Sequence, residues 1–145
     1  MIIQVFGTPC TGKTSFIKDW ILHNPTYSYY DVAMHRDVGA DFLNAENIIL
    51  KKIINEKRKY IIIESATGFH DIKSFNIKLS CDLDLLEKNH IKRRIPFTNE
   101  QLDYYSLLHT IEIVPDLTIN ITETTTFKDI SNKIYDYMRK SVGII

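Results

Sequence analysis

The residues most able to do chemistry stand near the start of the chain, in the stretch Gly7-Thr-Pro-Cys-Thr-Gly-Lys-Thr14. This stretch matches G-x-x-x-x-G-K-[ST], a phosphate-binding loop whose backbone N–H groups cradle nucleotide phosphates. We expect Lys13 to reach the β- and γ-phosphates and the Thr14 hydroxyl to ligate Mg²⁺. The pattern therefore predicts a site for ATP and Mg²⁺, with these cofactor-binding residues: Gly7, Thr8, Pro9, Cys10, Thr11, Gly12, Lys13, Thr14 and Ser15.

The segments on either side of this loop favour the same interpretation. The apolar run 2–6 predicts a buried strand, and apolar residues at Phe16, Ile17 and Trp20 predict a helix from Lys13 to about His23. A helix that begins at the loop points its free N–H groups and the positive end of its dipole at a bound anion. A chance glycine-rich turn is the alternative, and the order strand, loop, helix argues against it.

Two acids are predicted at the ends of strands, where ligands of open α/β sheets bind. Asp31 ends the strand-like segment 27–32, and Glu64 closes the apolar run 60–65. Asp31 is our candidate for the base that orients the nucleophile, with a helix cap or a solvated loop acid as the alternative. Glu64 is the candidate for holding Mg²⁺ through water, or else a locally satisfied buried acid. Asp37 is the second candidate for the base, and the choice among the three acids stays open.

A basic run, Lys92-Arg93-Arg94, stands at the end of a helix predicted over 82–94. Such cations could clamp the phosphoryl group during transfer. The alternative is a basic helix C-terminus that the helix dipole favours. Arg93 and Arg94 are both candidate catalytic residues, and the sequence does not choose between them.

The remaining segments alternate between strand and helix patterns. We predict a helix from 41 or 44 to 57, a weaker strand over 76–80, a helix from the capping box at 98–101 to about 109, a strand over 117–121 and a helix over 126–140. This alternation predicts an α/β fold with a parallel sheet covered on both faces. The length predicts a single domain over 1–145.

Composition excludes few classes of function. The net charge is zero, so no overall basic field indicates nucleic acid, although a local basic patch could still exist. Cys10 and Cys81 have no metal-ligand spacing, and a thiol within a phosphate loop suits a reducing compartment. No apolar run reaches the length of a membrane span. We therefore expect a cytoplasmic protein without a membrane partner, and the oligomeric state is not indicated.

With these segments placed, the chain resembles the small P-loop kinases, most closely the kinase domain of phage-type polynucleotide 5′-hydroxyl kinases and related AAA-type ATP-binding proteins. The resemblance rests on the loop with Pro9 in its middle, the strand ending at Asp31, and a lid-like segment at 84–105. It implies a three-layer P-loop NTPase fold with a five-stranded parallel sheet in the order 2-3-1-4-5 and a short lid. It also implies that Asp31 is the catalytic acid and that Arg93 or Arg94 is the lid arginine. The chain departs from the family between 64 and 76, where little room is left for a crossover helix.

These observations together predict an ATP- and Mg²⁺-dependent kinase. The expected acceptor is a hydroxyl or phosphate of a nucleic acid, nucleoside or nucleotide, and a polynucleotide and a small molecule stay about equally favoured. The alternative is a non-kinase P-loop module that binds or hydrolyses a nucleoside triphosphate and acts on a protein partner. The sequence contains no guanine-specifying Asn-Lys-x-Asp segment to support that alternative.

Overall fold

The computed structural model of the protein describes residues 1–32, 42–56 and 59–142. These residues form strands and helices that alternate along the chain, except where two strands and then two helices follow one another directly. The strands are β1 Ile2–Phe6, β2 Tyr27–Asp31, β3 Tyr60–Ser65, β4 Phe75–Cys81 and β5 Leu117–Ile121. The helices are α1 Lys13–His23, α2 Phe42–Asn55, α3 Leu83–Lys92, α4 Asn99–Ile111 and α5 Phe127–Val142.

The five strands form one parallel sheet in the order β2-β3-β1-β4-β5. This confirms the predicted α/β class and the order 2-3-1-4-5. β1 is the central strand, so the loop that follows it leaves the sheet from the middle. Asp31 at the end of β2 and Glu64 near the end of β3 are therefore brought to the same edge as that loop.

One face of the sheet is covered by α1 and α5. Strand residues that alternate along the chain, such as Ile3 and Val5 in β1, pack there against Phe16 and Trp20 of α1 and Ile134 of α5. These side chains are almost fully buried. Burial of the apolar face of α1 fixes the direction in which its N-terminus points, and thus the position of the phosphate loop.

The opposite face is crossed by the connection between β3 and β4, residues 66–74, which contains neither helix nor strand. This confirms the expectation that little room is left there for a crossover helix. Gln4, fully buried in β1, bonds to the crossing segment through both ends of its amide. Its Nε2 donates to the Phe69 carbonyl at 3.0 Å, and its Oε1 accepts from the Phe69 N–H at 2.7 Å. A buried amide thus fastens the segment to the central strand.

Helices α3 and α4 pack beside the phosphate loop. Cys10 of the loop is buried with Leu86 of α3 and with Tyr105 and Leu108 of α4. His90 of α3 is fully buried, and its Nε2 lies 2.8 Å from the Tyr105 hydroxyl. The two helices therefore hold their polar residues close to the loop.

Helix α3 is shorter than predicted, because it ends at Lys92 rather than at Arg94. Arg94 has a left-handed backbone, with φ 56°, and its N–H donates to the Ile91 carbonyl at 3.0 Å. The Ile95 N–H donates to the His90 carbonyl at 2.9 Å, which completes a Schellman-type helix end. The start of α4 agrees with the predicted capping box, since the Thr98 hydroxyl accepts from the Gln101 N–H.

Predicted and observed bounds agree elsewhere to within a residue or two. The predicted start of α2 at 41 and its predicted end at 57 both lie outside the described residues. Within the described part of the chain, no helix combines the length and apolar character that a membrane span requires.

Candidate active site

A cavity of about 650 Å³ lies at the carboxyl ends of β2 and β3, beside the N-terminus of α1. The phosphate loop lines one side, and α3 and α4 line another. The predicted site residues that line it are Pro9, Cys10, Gly12, Lys13, Thr14, Ser15, Asp31, Glu64 and Arg93. The tertiary structure thus brings together side chains that the sequence places more than sixty residues apart.

Three residues of the loop have positive φ: Gly7 at 147°, Cys10 at 70° and Gly12 at 92°. A Cβ atom at Gly12 would meet no atom within 4 Å, so this glycine serves the backbone conformation and leaves the space above it open. Gly7 has a different role, because a Cβ atom there would stand 2.2 Å from the Leu79 carbonyl oxygen of β4. Gly7 therefore lets the loop leave the sheet, while Gly12 shapes the cradle.

Lys13 is buried and its ammonium group is held over the loop. The Nζ atom donates to the Gly7 carbonyl at 2.6 Å and to the Thr8 carbonyl at 3.0 Å. Burial lowers the pKa of Lys13 to about 8, although the nearby Glu64 carboxylate opposes that change. The side chain is therefore a cation at neutral pH, placed where a bound phosphate would accept its hydrogen bonds.

Thr14 and Glu64 are in direct contact. The Thr14 hydroxyl donates to Glu64, with Oγ1 2.7 Å from Oε2 and 2.9 Å from Oε1. The Tyr29 hydroxyl donates to Oε1 of the same carboxylate at 2.7 Å. Burial, followed by the bond to Glu64, raises the pKa of Tyr29, so its hydroxyl remains a donor. Glu64 is thus oriented by hydroxyl groups from two different elements.

Asp31 lies opposite Glu64 in the parallel register of β2 and β3. It is half-buried and lines the cavity, and its charge is one of those that favour the charged form of Lys13. Asp31 thus lies at the strand end where the sequence predicts it, and its role as a base stays a prediction. The alternative candidate Asp37 lies outside the described residues.

The basic run at the end of α3 divides between two locations. Lys92 and Arg93 line the cavity, and the Arg93 Nη1 donates to the Cys10 sulfur at 3.6 Å. Arg94 is not among the described residues that line the cavity, because it occupies the left-handed position that ends the helix. Of the two predicted lid arginines, the geometry brings only Arg93 to the loop.

The residues present fit both ATP and Mg²⁺, the two groups that the loop implies. Hard cations such as Mg²⁺ prefer oxygen ligands, and Thr14 and Glu64 supply hydroxyl and carboxylate oxygens side by side. Among residues 1–32, 42–56 and 59–142, no group of three or more His, Cys, Asp or Glu side chains is placed to hold a metal ion. The donor set therefore suits an ion that completes its coordination with water and nucleotide phosphates, as Mg²⁺ does at such sites.

Several residues of the site were missed by sequence reasoning, among them one asparagine and two tyrosines. Tyr29 contacts Glu64, Asn89 donates its Nδ2 to the Cys10 carbonyl at 2.8 Å, and Tyr104 of α4 lines the cavity rim. The spacing of residues along the sequence could have indicated two of them. Tyr29 precedes Asp31 by two, so it shares a strand face with it, and Asn89 precedes Arg93 by four, so it shares a helix face with it. Nothing in the sequence distinguishes Tyr104 from its neighbour Tyr105.

Comparison with solved structures places this fold among those of kinases. The chain aligns with shikimate kinase from Aquifex aeolicus vf5 at 12% identity and TM-score 0.64, over 100% of both chains. Shikimate kinase from Acinetobacter baumannii, solved in complex with shikimate, aligns at 13% identity and TM-score 0.68, over 97% of this chain and 94% of that one. The enzyme from Bacteroides thetaiotaomicron aligns at 15% identity and TM-score 0.66, over 99% of each chain.

At these identities the likeness concerns the fold alone, a five-stranded parallel α/β fold that the chain shares with these shikimate kinases. No family model and no curated protein matches the chain by sequence. The predicted likeness to small P-loop kinases is thereby supported at the level of the fold. The finer resemblance to polynucleotide 5′-hydroxyl kinases receives no support from these neighbours and stays a prediction.

Proposed function

We propose that the protein is an ATP- and Mg²⁺-dependent phosphotransferase that moves the γ-phosphoryl group of ATP to an acceptor hydroxyl or phosphate. The observation that carries the proposal is that one cavity is lined together by Lys13, Thr14, Asp31, Glu64 and Arg93. Phosphoryl transfer needs a phosphate cradle, a metal site, cations and a group that orients the nucleophile. This cavity offers a side chain for each.

Each of these side chains has its own role in the proposed reaction. An acceptor oxygen attacks the γ-phosphorus, the bond from that phosphorus to the β,γ-bridging oxygen breaks, and its electron pair leaves with ADP. The Asp31 carboxylate accepts the proton of the acceptor hydroxyl, while Lys13 and Arg93 stabilise the charge on the phosphoryl oxygens. Mg²⁺, when bound by Thr14 and, through water, by Glu64, supplies further charge neutralisation.

Two classes of acceptor have specific support. Tyr104 lines the cavity and is 47% exposed, which favours an acceptor with a nucleobase to stack on its ring. The solved neighbours are shikimate kinases, and one was solved with shikimate, which favours a small hydroxylated carboxylate as the second candidate. Lys92 and Arg93 at the cavity offer charge complementarity to a phosphate or a carboxylate alike.

The decisive experiment follows labelled γ-phosphate from ATP to a panel of acceptors: 5′-hydroxyl oligonucleotides, nucleosides, nucleotides and shikimate. We expect label on at least one member, and the labelled class then names the acceptor. Tight ATP binding with release of inorganic phosphate, no labelled acceptor and stimulation by a protein partner would instead support a hydrolysing module.

The loop itself is tested by Lys13→Ala, with Lys18→Ala as its control on the exposed side of the same helix. We expect transfer to be lost in the first variant and unchanged in the second, since only Lys13 lines the cavity. Circular dichroism should show a folded protein in both cases. Unchanged turnover in Lys13→Ala would contradict the assignment of the loop.

A further inference from the structure

Tyr29 makes a contact that the phosphate loop by itself does not require. Its side chain comes from the middle of β2, and its ring packs at the edge of the sheet core beneath α1 and α5. Its hydroxyl leaves that core and donates to Glu64 Oε1 at 2.7 Å. A ring that served only as packing would not need a hydroxyl group, because a phenylalanine ring fills nearly the same volume.

Resting on the function proposed above, we propose that Tyr29 is a positioning residue. It holds the Glu64 carboxylate against Thr14 and so sets how strongly Mg²⁺ and the nucleotide bind together. The ligand that it serves is the divalent cation in its complex with a nucleoside triphosphate, rather than the nucleotide alone.

The need for such a residue follows from what else surrounds Glu64. A glutamate side chain has several rotatable bonds, so a carboxylate without fixed partners samples many positions. The Lys13 ammonium is close enough that Glu64 is the strongest electrostatic influence favouring its charge. A carboxylate free to turn would pair with Lys13, which would remove the acid from the metal site and the cation from the phosphates. Two hydroxyl donors on one carboxylate oppose that rotation.

The two hydroxyl groups contact the Glu64 carboxylate in different ways, and this difference supports the interpretation. Thr14 approaches both oxygens, whereas Tyr29 approaches Oε1 alone. Removing the tyrosine hydroxyl therefore leaves the Thr14 contact possible but no longer fixes which oxygen faces the loop. The contact of Lys13 with the loop carbonyls involves neither Tyr29 nor its ring. Nucleotide binding without metal should accordingly be insensitive to Tyr29.

The chain offers a matched control on the same strand. The Tyr30 hydroxyl donates to Glu56 Oε2, also at 2.7 Å, and both tyrosines are half-buried. Tyr30 packs with the core cluster on the opposite face of the sheet, away from the loop. Tyr29→Phe and Tyr30→Phe each remove one tyrosine–glutamate hydrogen bond, and only the first bond belongs to the site.

The test is calorimetric titration of a non-hydrolysable ATP analogue into the full-length wild-type protein and both variants, without metal and at increasing MgCl₂. For Tyr29→Phe we expect the metal-free Kd to stay within about twofold of wild type. The Mg²⁺ concentration for half-maximal enhancement should rise by about tenfold, the size expected when a hydrogen bond to a charged group is lost. Tyr30→Phe should behave as wild type, and high MgCl₂ should restore the affinity of Tyr29→Phe.

A double variant keeps the test informative should either single variant lose stability. On a Glu64→Gln background, Tyr29→Phe should add no further change in metal dependence, because the carboxylate that it positions is gone. Wild-type metal dependence in Tyr29→Phe, or equal shifts in Tyr29→Phe and Tyr30→Phe, would overturn the inference alone. Failure of the wild type to bind the analogue under any condition would overturn the proposed function, and this inference with it.

Discussion

The acids Asp31 and Glu64 occupy paired positions on neighbouring strands, yet their surroundings favour different chemical roles. Glu64 is buried and accepts hydrogen bonds from Thr14 and Tyr29, which hold its carboxylate oxygens in place, as the proposed metal role requires. Asp31 is half-buried at the cavity wall, where an acceptor hydroxyl could approach it. The difference in environment, rather than in residue type, favours Asp31 as the base.

Replacing Asp31 tests this division. We expect Asp31→Asn to lower the rate of phosphoryl transfer by about 10²- to 10⁴-fold, because an amide cannot accept the proton. Nucleotide affinity, measured by titration calorimetry, should stay near that of wild type. Asp19→Asn, on helix α1, serves as the control. A rate loss of this size in Asp37→Asn, with Asp31→Asn active, would transfer the assignment to Asp37.

The buried amine of Lys13 predicts a pH dependence of nucleotide binding. Its pKa is lowered to about 8 in the free protein by burial, and bound phosphate would raise it. Below pH 8 the amine is charged before and after binding, so the affinity should be flat. Above pH 8 binding must take up a proton, so the affinity should fall by up to about tenfold per pH unit.

Measurement of the Kd for the ATP analogue between pH 7.5 and 9.5 checks this expectation. Lys13→Arg provides the comparison, because a guanidinium stays charged throughout that range. Its affinity should be weaker or equal at pH 7.5 but independent of pH. An identical slope in wild type and Lys13→Arg would show that another group titrates.

At the level of elements, the end of α3 separates two neighbouring arginines. The helix ends in a Schellman-type motif that places Arg94 in the left-handed conformation usually taken by glycine. Arg93, the preceding residue, is thereby directed to the cavity beside Cys10. Backbone geometry, and not side-chain chemistry, thus separates the arginine that lines the cavity from its neighbour.

We expect opposite effects from changing these two residues. Arg93→Ala should lower the rate of transfer by about 10²-fold or more, since a cation that stabilises the transferring group is lost. Arg94→Gly should leave the rate unchanged and raise the free energy of unfolding by up to about 1 kcal/mol, because glycine adopts positive φ without strain. Steady-state kinetics and urea unfolding of both variants check the pair. Loss of activity in Arg94→Gly with normal stability would contradict the assignment.

At the level of the whole molecule, the connection between β3 and β4 crosses the central strand of the sheet and contains no helix. Residues 66–74 pass over β1 from β3 to β4, and the buried amide of Gln4 bonds to the backbone of this segment. The same segment begins directly after Glu64 and Ser65, at the cavity. Its anchoring therefore affects both the stability of the fold and the wall of the site.

Gln4→Leu should reveal how much this anchor contributes. Removing both bonds to Phe69 from a fully buried position should lower the free energy of unfolding by about 2–4 kcal/mol. Asn120→Ala, which removes an exposed bond to Ser80, should cost less than about 0.5 kcal/mol. Urea unfolding measures both, and a Gln4→Leu variant as stable as Asn120→Ala would show that the segment is held by apolar packing alone.

Local patterns predicted most of the fold and part of the site. The run of apolar residues before Gly7, the helical spacing after Lys13 and the capping box at Thr98 depend on neighbours in sequence, and the structure agrees with each. The short stretch between Glu64 and the fourth strand likewise limited the crossover to a loop. These features are local, so elementary propensity and periodicity were sufficient.

The sequence by itself determined that a phosphate loop stands between a buried strand and an amphipathic helix, because that motif is contiguous. It left open which acid, which arginine and which tyrosine accompany the loop. Those choices depend on strand register, which pairs Asp31 with Glu64, and on the φ of Arg94, which turns one arginine away. They depend also on the contact that the Tyr29 hydroxyl makes with Glu64 on the adjacent strand. Only the tertiary structure shows which of the described residues meet at the loop, because contacts between distant segments follow from how the sheet and helices pack and not from any local pattern.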